Sequence, residues 1–174
     1  DLLNNASPVV NLALRSDDPS VRQEAVRQLA ASLAQGYYLL CHQDPDHPDF
    51  TNFIGPAVPV AAPNCDYMYH LAMVDSRGVY RIWGRRGTNL FAHIGFGSQF
   101  LGAVENPGPS LGHFDLDDME IAPDGTFEIV LSAERPAGYE GNWVQMPAGA
   151  ASVSVRNASY DWENEVDATY TIER

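Results

Sequence analysis

Lysine does not occur in this chain. All ten basic residues are arginines, set against 23 Asp and Glu, and the net charge is -13 over 174 residues. A backbone-phosphate interface needs a basic footprint, so nucleic acid is excluded as a partner. Anionic membrane surfaces are disfavoured for the same reason. Cysteine is scarce. Cys41 and Cys65 are too few for a disulfide scaffold and read as two buried free thiols. Long apolar runs are missing as well. None reaches the ~18 residues that a membrane-spanning helix needs, and no signal peptide is visible. The chain begins at Asp1 without Met and stops on Arg174 within a strand-like pattern, which reads as a processed form or as part of a longer polypeptide.

What is present is enough for one domain with a sizeable core and a helical appendage. Hydrophobic residues make up 45% and charged residues 19%, which excludes disorder as the main state. Residues 1–43 read as helical. A first segment spans 2–15, broken near Pro8. Asp18-Pro19 then supplies an N-cap and a proline at the first helical position. Val21, Ala25, Leu29 and Leu33 follow at four-residue spacing and give that helix one apolar face. Asp44-Pro-Asp-His-Pro-Asp is a loop, Phe50 to Ile54 a helical turn, and Gly55 to Pro63 an extended proline-rich stretch.

Beyond Tyr67 the period changes to two. Tyr67 to Val74, the turn Asp75-Ser-Arg-Gly and Val79 to Trp83 read as a hairpin. Leu90 to Phe96 is a further strand, in which Gly95 and Gly97 signal a bulge or a close backbone approach. A long loop over 102–112 leads to strands at Phe114–Ile121, Phe127–Ser132, Trp143–Met146, Ala151–Arg156 and Ala168–Ile172. Seven or eight short strands at ~8–12-residue spacing predict a mainly β fold, an antiparallel β-sandwich or jelly roll. The expected division is a helical N-terminal segment, 1–55, and a β-sandwich domain, 56–174. Sequons stand at Asn5 and Asn157, and neither is read as glycosylated.

Several residue groups together resemble a known family. They are Asn64-x-Asp66-x-x-Tyr69, Tyr80-Arg-x-x-Gly-Arg-Arg-Gly, Asp124-Gly-Thr-Phe, and Asn142-Trp-Val with Pro147, Arg156, Asp161-Trp162 and Ile172-Glu-Arg174. Over residues 44–174 the chain resembles a bacterial family of uncharacterised proteins known only as domains of unknown function. Some of its members are paired with a second such domain. The resemblance implies a β-sandwich body, a chain that continues past Arg174, and no established reaction. Cys65 stands where members often have proline. A bacterial cytoplasmic setting is the expectation that follows.

Side-chain chemistry leads to three functional expectations. The first is a protein that binds or processes a small apolar or ring-containing molecule with an anionic group. Arg81, Arg85 or Arg156 would grip the anion, since a guanidinium matches a carboxylate or phosphate bidentately, and Trp83 or Trp143 would take the rings. The competing reading pairs the arginines with nearby acids, for example Arg156 with Asp161 and Glu163. The second is a metal-dependent enzyme of cupin-like type. His93, His113 and Asp115 would be its ligands, although the usual two-His spacing with a Glu is missing. The third is a structural or assembly subunit whose helix face at 21–33 docks on another chain, an oligomer partner or the rest of a longer polypeptide. Asn64, Asp66, Tyr69 and His70 form a weaker cluster, because Tyr69 and His70 leave a strand on opposite faces and Asn64-x-Asp66 suits an Asx turn. No nucleophile elbow and no phosphate-cradling loop occurs, and no cofactor is indicated.

Overall fold

A computed structural model describes residues 8, 10, 11, 15–55, 64–99 and 108–174. The first helical segment and the proline-rich stretch after Gly55 lie largely outside the described residues, as does most of the long loop. Helix α1, Pro19–Tyr37, starts where the cap chemistry directs. The Asp18 carboxylate accepts the Ser20 N–H at 2.8 Å, and Pro19 loses no bond at the first position. The helix runs through Gly36 into a π-helical turn, Tyr38–His42. None of its residues is fully buried, and Val21 and Val26 are half-exposed. No helix among the described residues is long and apolar enough to cross a membrane.

Nine strands follow among the described residues: β1 Thr51–Ile54, β2 Tyr67–Met73, β3 Tyr80–Arg85, β4 Phe91–Gly97, β5 Ser110–Asp115, β6 Thr126–Ser132, β7 Asn142–Gln145, β8 Ser152–Ala158 and β9 Thr169–Glu173. They form two sheets, of order β1-β2-β8-β4-β5 and β7-β6-β3-β9, neither closed into a barrel. One core joins them. Ala72, Ile94, Phe96, Val153 and Val155 of the five-stranded sheet pack in one cluster with Tyr80, Ile82, Phe127, Ile129, Leu131 and Ile172 of the four-stranded sheet. Alternation along each strand selects these residues and sends their neighbours to the outer faces. Close sheet geometry also explains Gly84, where any Cβ would collide with the Thr169 carbonyl across the β3–β9 pair.

A polar knot lies in the interior. Tyr170 on β9 donates its hydroxyl to Asn157 Oδ1 at 2.6 Å, and the Asn157 amide donates to the Ala168 carbonyl at 3.1 Å. The sequon at Asn157 is therefore internal, with that side chain almost wholly buried. His70 lies beside Tyr170, and its burial lowers its pKa against a weaker raising effect of Asp167.

The fold corrects five expectations. Phe50–Ile54 is not a helical turn, since Thr51–Ile54 pairs with β2 as an edge strand. The sheet thus begins ahead of residue 56. β2 and β3 are not a hairpin. The Asp75–Gly78 turn forms, with Gly78 N–H donating to the Asp75 carbonyl, but it carries the chain from one sheet to the other. Pairing is not antiparallel throughout, because β6 and β7 run parallel. The strand expected at Phe114–Ile121 ends at Asp115. There the Asp115 carboxylate caps a 3-10 turn, Leu116–Asp118, and Leu116 is drawn fully into the core. Cys41 and Cys65 are free but exposed, not buried: Cys41 lies in the π-helical turn and Cys65 in the turn ahead of β2, neither of them in a sheet.

Candidate functional site

The outer face of the five-stranded sheet carries a row of facing side chains. Register places Tyr69 opposite Arg156, Arg156 opposite His93, and His93 opposite Asp115, across β2, β8, β4 and β5. The next row holds Leu71, Ser154, Gly95 and His113. Facing positions on adjacent strands start only about 5 Å apart at Cβ, so each row is a contiguous surface.

A cavity of about 600 Å³ lies over these rows. Phe53 and Ile54 from β1, Leu71 from β2 and Gln35 from α1 form one wall. The Gln35 amide donates to the Phe53 carbonyl and so ties the helix to the edge strand. His113 and Ser110 of β5 form the other wall, and Arg156 and His93 stand together on its lining. Small residues make the floor: Gly95 and Gly97 on β4, with Ser152 and Ser154 on β8. A Cβ at Gly97 would fall 2.6 Å from the Ser152 hydroxyl, so a larger residue there would displace its neighbour. The register shift between Phe96 and Gly97 is the bulge that the paired glycines signalled.

Arg156 lies in this cavity without a carboxylate partner among the described residues. Its guanidinium is 5.9 Å from the centre of the Tyr69 ring and makes no hydrogen bond or ion pair among the described residues. Asp161 does not tie it down. That side chain accepts backbone and amide protons from Glu163 and Asn164 in its own turn. His93 Nε2 lies 3.0 Å from Asp115 Oδ2, and Asp115 Oδ1 accepts the Asp117 N–H at 3.0 Å. Asp117 is held in turn by Arg86, whose guanidinium meets both its oxygens at 2.5 and 2.9 Å and also donates to Asn89. That contact lowers the Asp117 pKa, and the Arg86 side chain is only 11% exposed.

The expected site residues divide between two faces. Arg156, His93 and His113 share the cavity, and Asp115 adjoins it through His93. The His93 and His113 rings are 5.8 Å apart. Among the described residues no group of three or more His, Cys, Asp or Glu is arranged to hold a metal ion. Arg81 and Trp83 project from the other sheet, where they line a separate cleft with Glu128. There Arg81 bridges Glu173 at 2.7 Å and Glu128 at 3.3 Å and lies 4.5 Å over the Trp83 ring. Arg85 donates to the Asp124 carbonyl. Trp143 donates its indole N–H to Ser132 Oγ at 2.9 Å and packs against Arg135. Asn64 and Asp66 form the expected Asx turn, with Asp66 N–H bonding Asn64 Oδ1 at 3.0 Å.

Sequence reasoning missed Gln35, Phe53 and Ile54, because nothing local says that a helix and an edge strand will roof a distant β8. Gly95-Phe-Gly97 was the one available signal of an open floor.

No family model matches the chain, and no curated protein does. Among solved structures it is similar to an uncharacterised protein from Burkholderia cenocepacia, with 32% identity and a TM-score of 0.86 over 99% of this chain and 48% of that one. A protein from Vibrio parahaemolyticus is 16% identical with a TM-score of 0.40, over 98% of this chain and 42% of that one. This chain therefore spans about half the length of each. The first likeness agrees with a bacterial relative of unknown function and concerns the fold, not the individual motifs.

Proposed function

We propose that the two layers act as an open β-sandwich and that its outer cavity binds a small apolar or ring-containing molecule through an anionic group. The observation that carries this reading is Arg156, a guanidinium in the cavity with no ion pair among the described residues, in a chain of net charge -13. In such a chain a cation without an ion pair is a vacancy for an external anion. Phe53, Ile54 and Leu71 supply the apolar wall, and the glycine floor leaves room for a ring against the backbone. Arg81 with Trp83 is the weaker candidate, because Glu128 and Glu173 already occupy that guanidinium.

Calorimetric titration with 2-naphthoate tests the reading. Wild type should bind it, and the neutral 2-naphthamide should bind at least tenfold more weakly. Arg156→Gln should cost about 2 kcal/mol, or roughly 30-fold in affinity, while Arg81→Gln should not. Equal affinity of wild type and Arg156→Gln would refute the assignment.

A further inference from the structure

We infer that His93 is a base that moves a proton on the carbon β to the ligand's anionic group, with Asp115 as its positioning residue. This rests on the reading that Arg156 holds that group. Arg156, His93 and Asp115 face one another in strict register on β8, β4 and β5. With Cβ atoms of facing residues about 5 Å apart, an anion gripped by Arg156 leaves its α or β atom beside the imidazole. Asp115 is fixed at both oxygens, by His93 Nε2 and by the Asp117 amide. A carboxylate at Nε2 keeps the proton there and leaves Nδ1 as the basic nitrogen. Among the described residues, the other charged or titratable groups facing the ring are Arg156 and His113. Arg156 also favours negative charge developing on the ligand.

The substrate class that meets these demands is a 2-oxo carboxylate bearing an apolar or aromatic ring on C3. Neutral His93 takes a proton from C3 at Nδ1. The C–H electron pair becomes the C2–C3 double bond, and the carbonyl pair moves onto oxygen. The imidazolium, stabilised by Asp115, then returns the proton to that oxygen to give the enol, or to C3 to restore the ketone. The step is redox-neutral and needs no co-reactant.

Phenylpyruvate is the probe. Calorimetry gives its affinity, and proton NMR in deuterium oxide gives the exchange rate at C3. Wild type should exceed an equal concentration of free imidazole by at least 100-fold. His93→Gln should lose at least 100-fold in catalysed rate with less than a tenfold change in affinity. Asp115→Asn should lose at least tenfold in catalysed rate with less than a twofold change in affinity, and Asp115→Glu should recover part of that loss, a split that a merely structural pair would not produce. Should His93→Gln fail to fold, Asp115→Asn decides by the same two readouts. Tight binding without exchange above imidazole, or a wild-type rate in the deciding variant, overturns proton transfer and leaves the binding reading standing. Failure of wild type to bind either phenylpyruvate or 2-naphthoate overturns both.

Discussion

His70 shows how one position on β2 fixes a pH response. Its ring lies on the inner side, beside Tyr170, and burial favours the neutral imidazole. The folded pKa is therefore below the unfolded value of about 6.5. Above that value both states are neutral and stability is full. As pH falls below it, the unfolded chain binds the proton first, and stability is lost until the folded pKa is reached. Urea unfolding should show a decline of up to about 1.4 kcal/mol per pH unit just below pH 6.5, and His70→Gln should flatten it. Arg86 is a second case. Replacing it with Met leaves Asp117 and Asn89 without their charged donor and should lower stability at pH 7 by about 1–3 kcal/mol, measured by the same unfolding. The Asp117 contribution has the usual carboxylate sign: present above the unfolded value near 4, and lost as pH falls through the lowered folded value.

Elements were more legible than their partners. The period-two pattern located β2, β3, β4, β6 and β8 to within a few residues, because alternation is a property of each strand alone. It carried no information on pairing, which is why β2 and β3 read as a hairpin although they join different sheets. β1 escaped notice since four residues are too short to show a period, and its strand state is set by its β2 partner. The site follows the same rule. Arg156, His93, His113 and Asp115 stood out by residue type, yet only register shows that three of them face one another. Helix α1 is the counterpart among helices: well capped at Asp18 but with no fully buried residue. Helical stability in proteins comes mainly from a packed face. Amide exchange should therefore be faster throughout α1 than in β3, β4 and β8, and Asp18→Ala should speed it further, by an amount matching about 1 kcal/mol of capping, with little change in the midpoint of global unfolding.

At the scale of the whole molecule, the charge that excludes nucleic acid also opposes the proposed ligand. A net charge of -13 repels an approaching anion at long range, whereas Arg156 attracts it only within the cavity. Salt separates the two effects. The Debye length is about 10 Å at 0.1 M, so added salt screens the distant acids more strongly than the near contact inside the cavity. The association rate constant for 2-naphthoate, followed by stopped-flow fluorescence, should rise a few-fold between about 20 and 200 mM salt, the reverse of an electrostatically steered encounter. The dissociation rate should rise only modestly, because it reports the local grip. Arg156→Gln should keep the salt-accelerated association while dissociating faster. A rate that falls with salt would mean that a positive local field reaches beyond the cavity mouth, which a single arginine among so many acids does not provide.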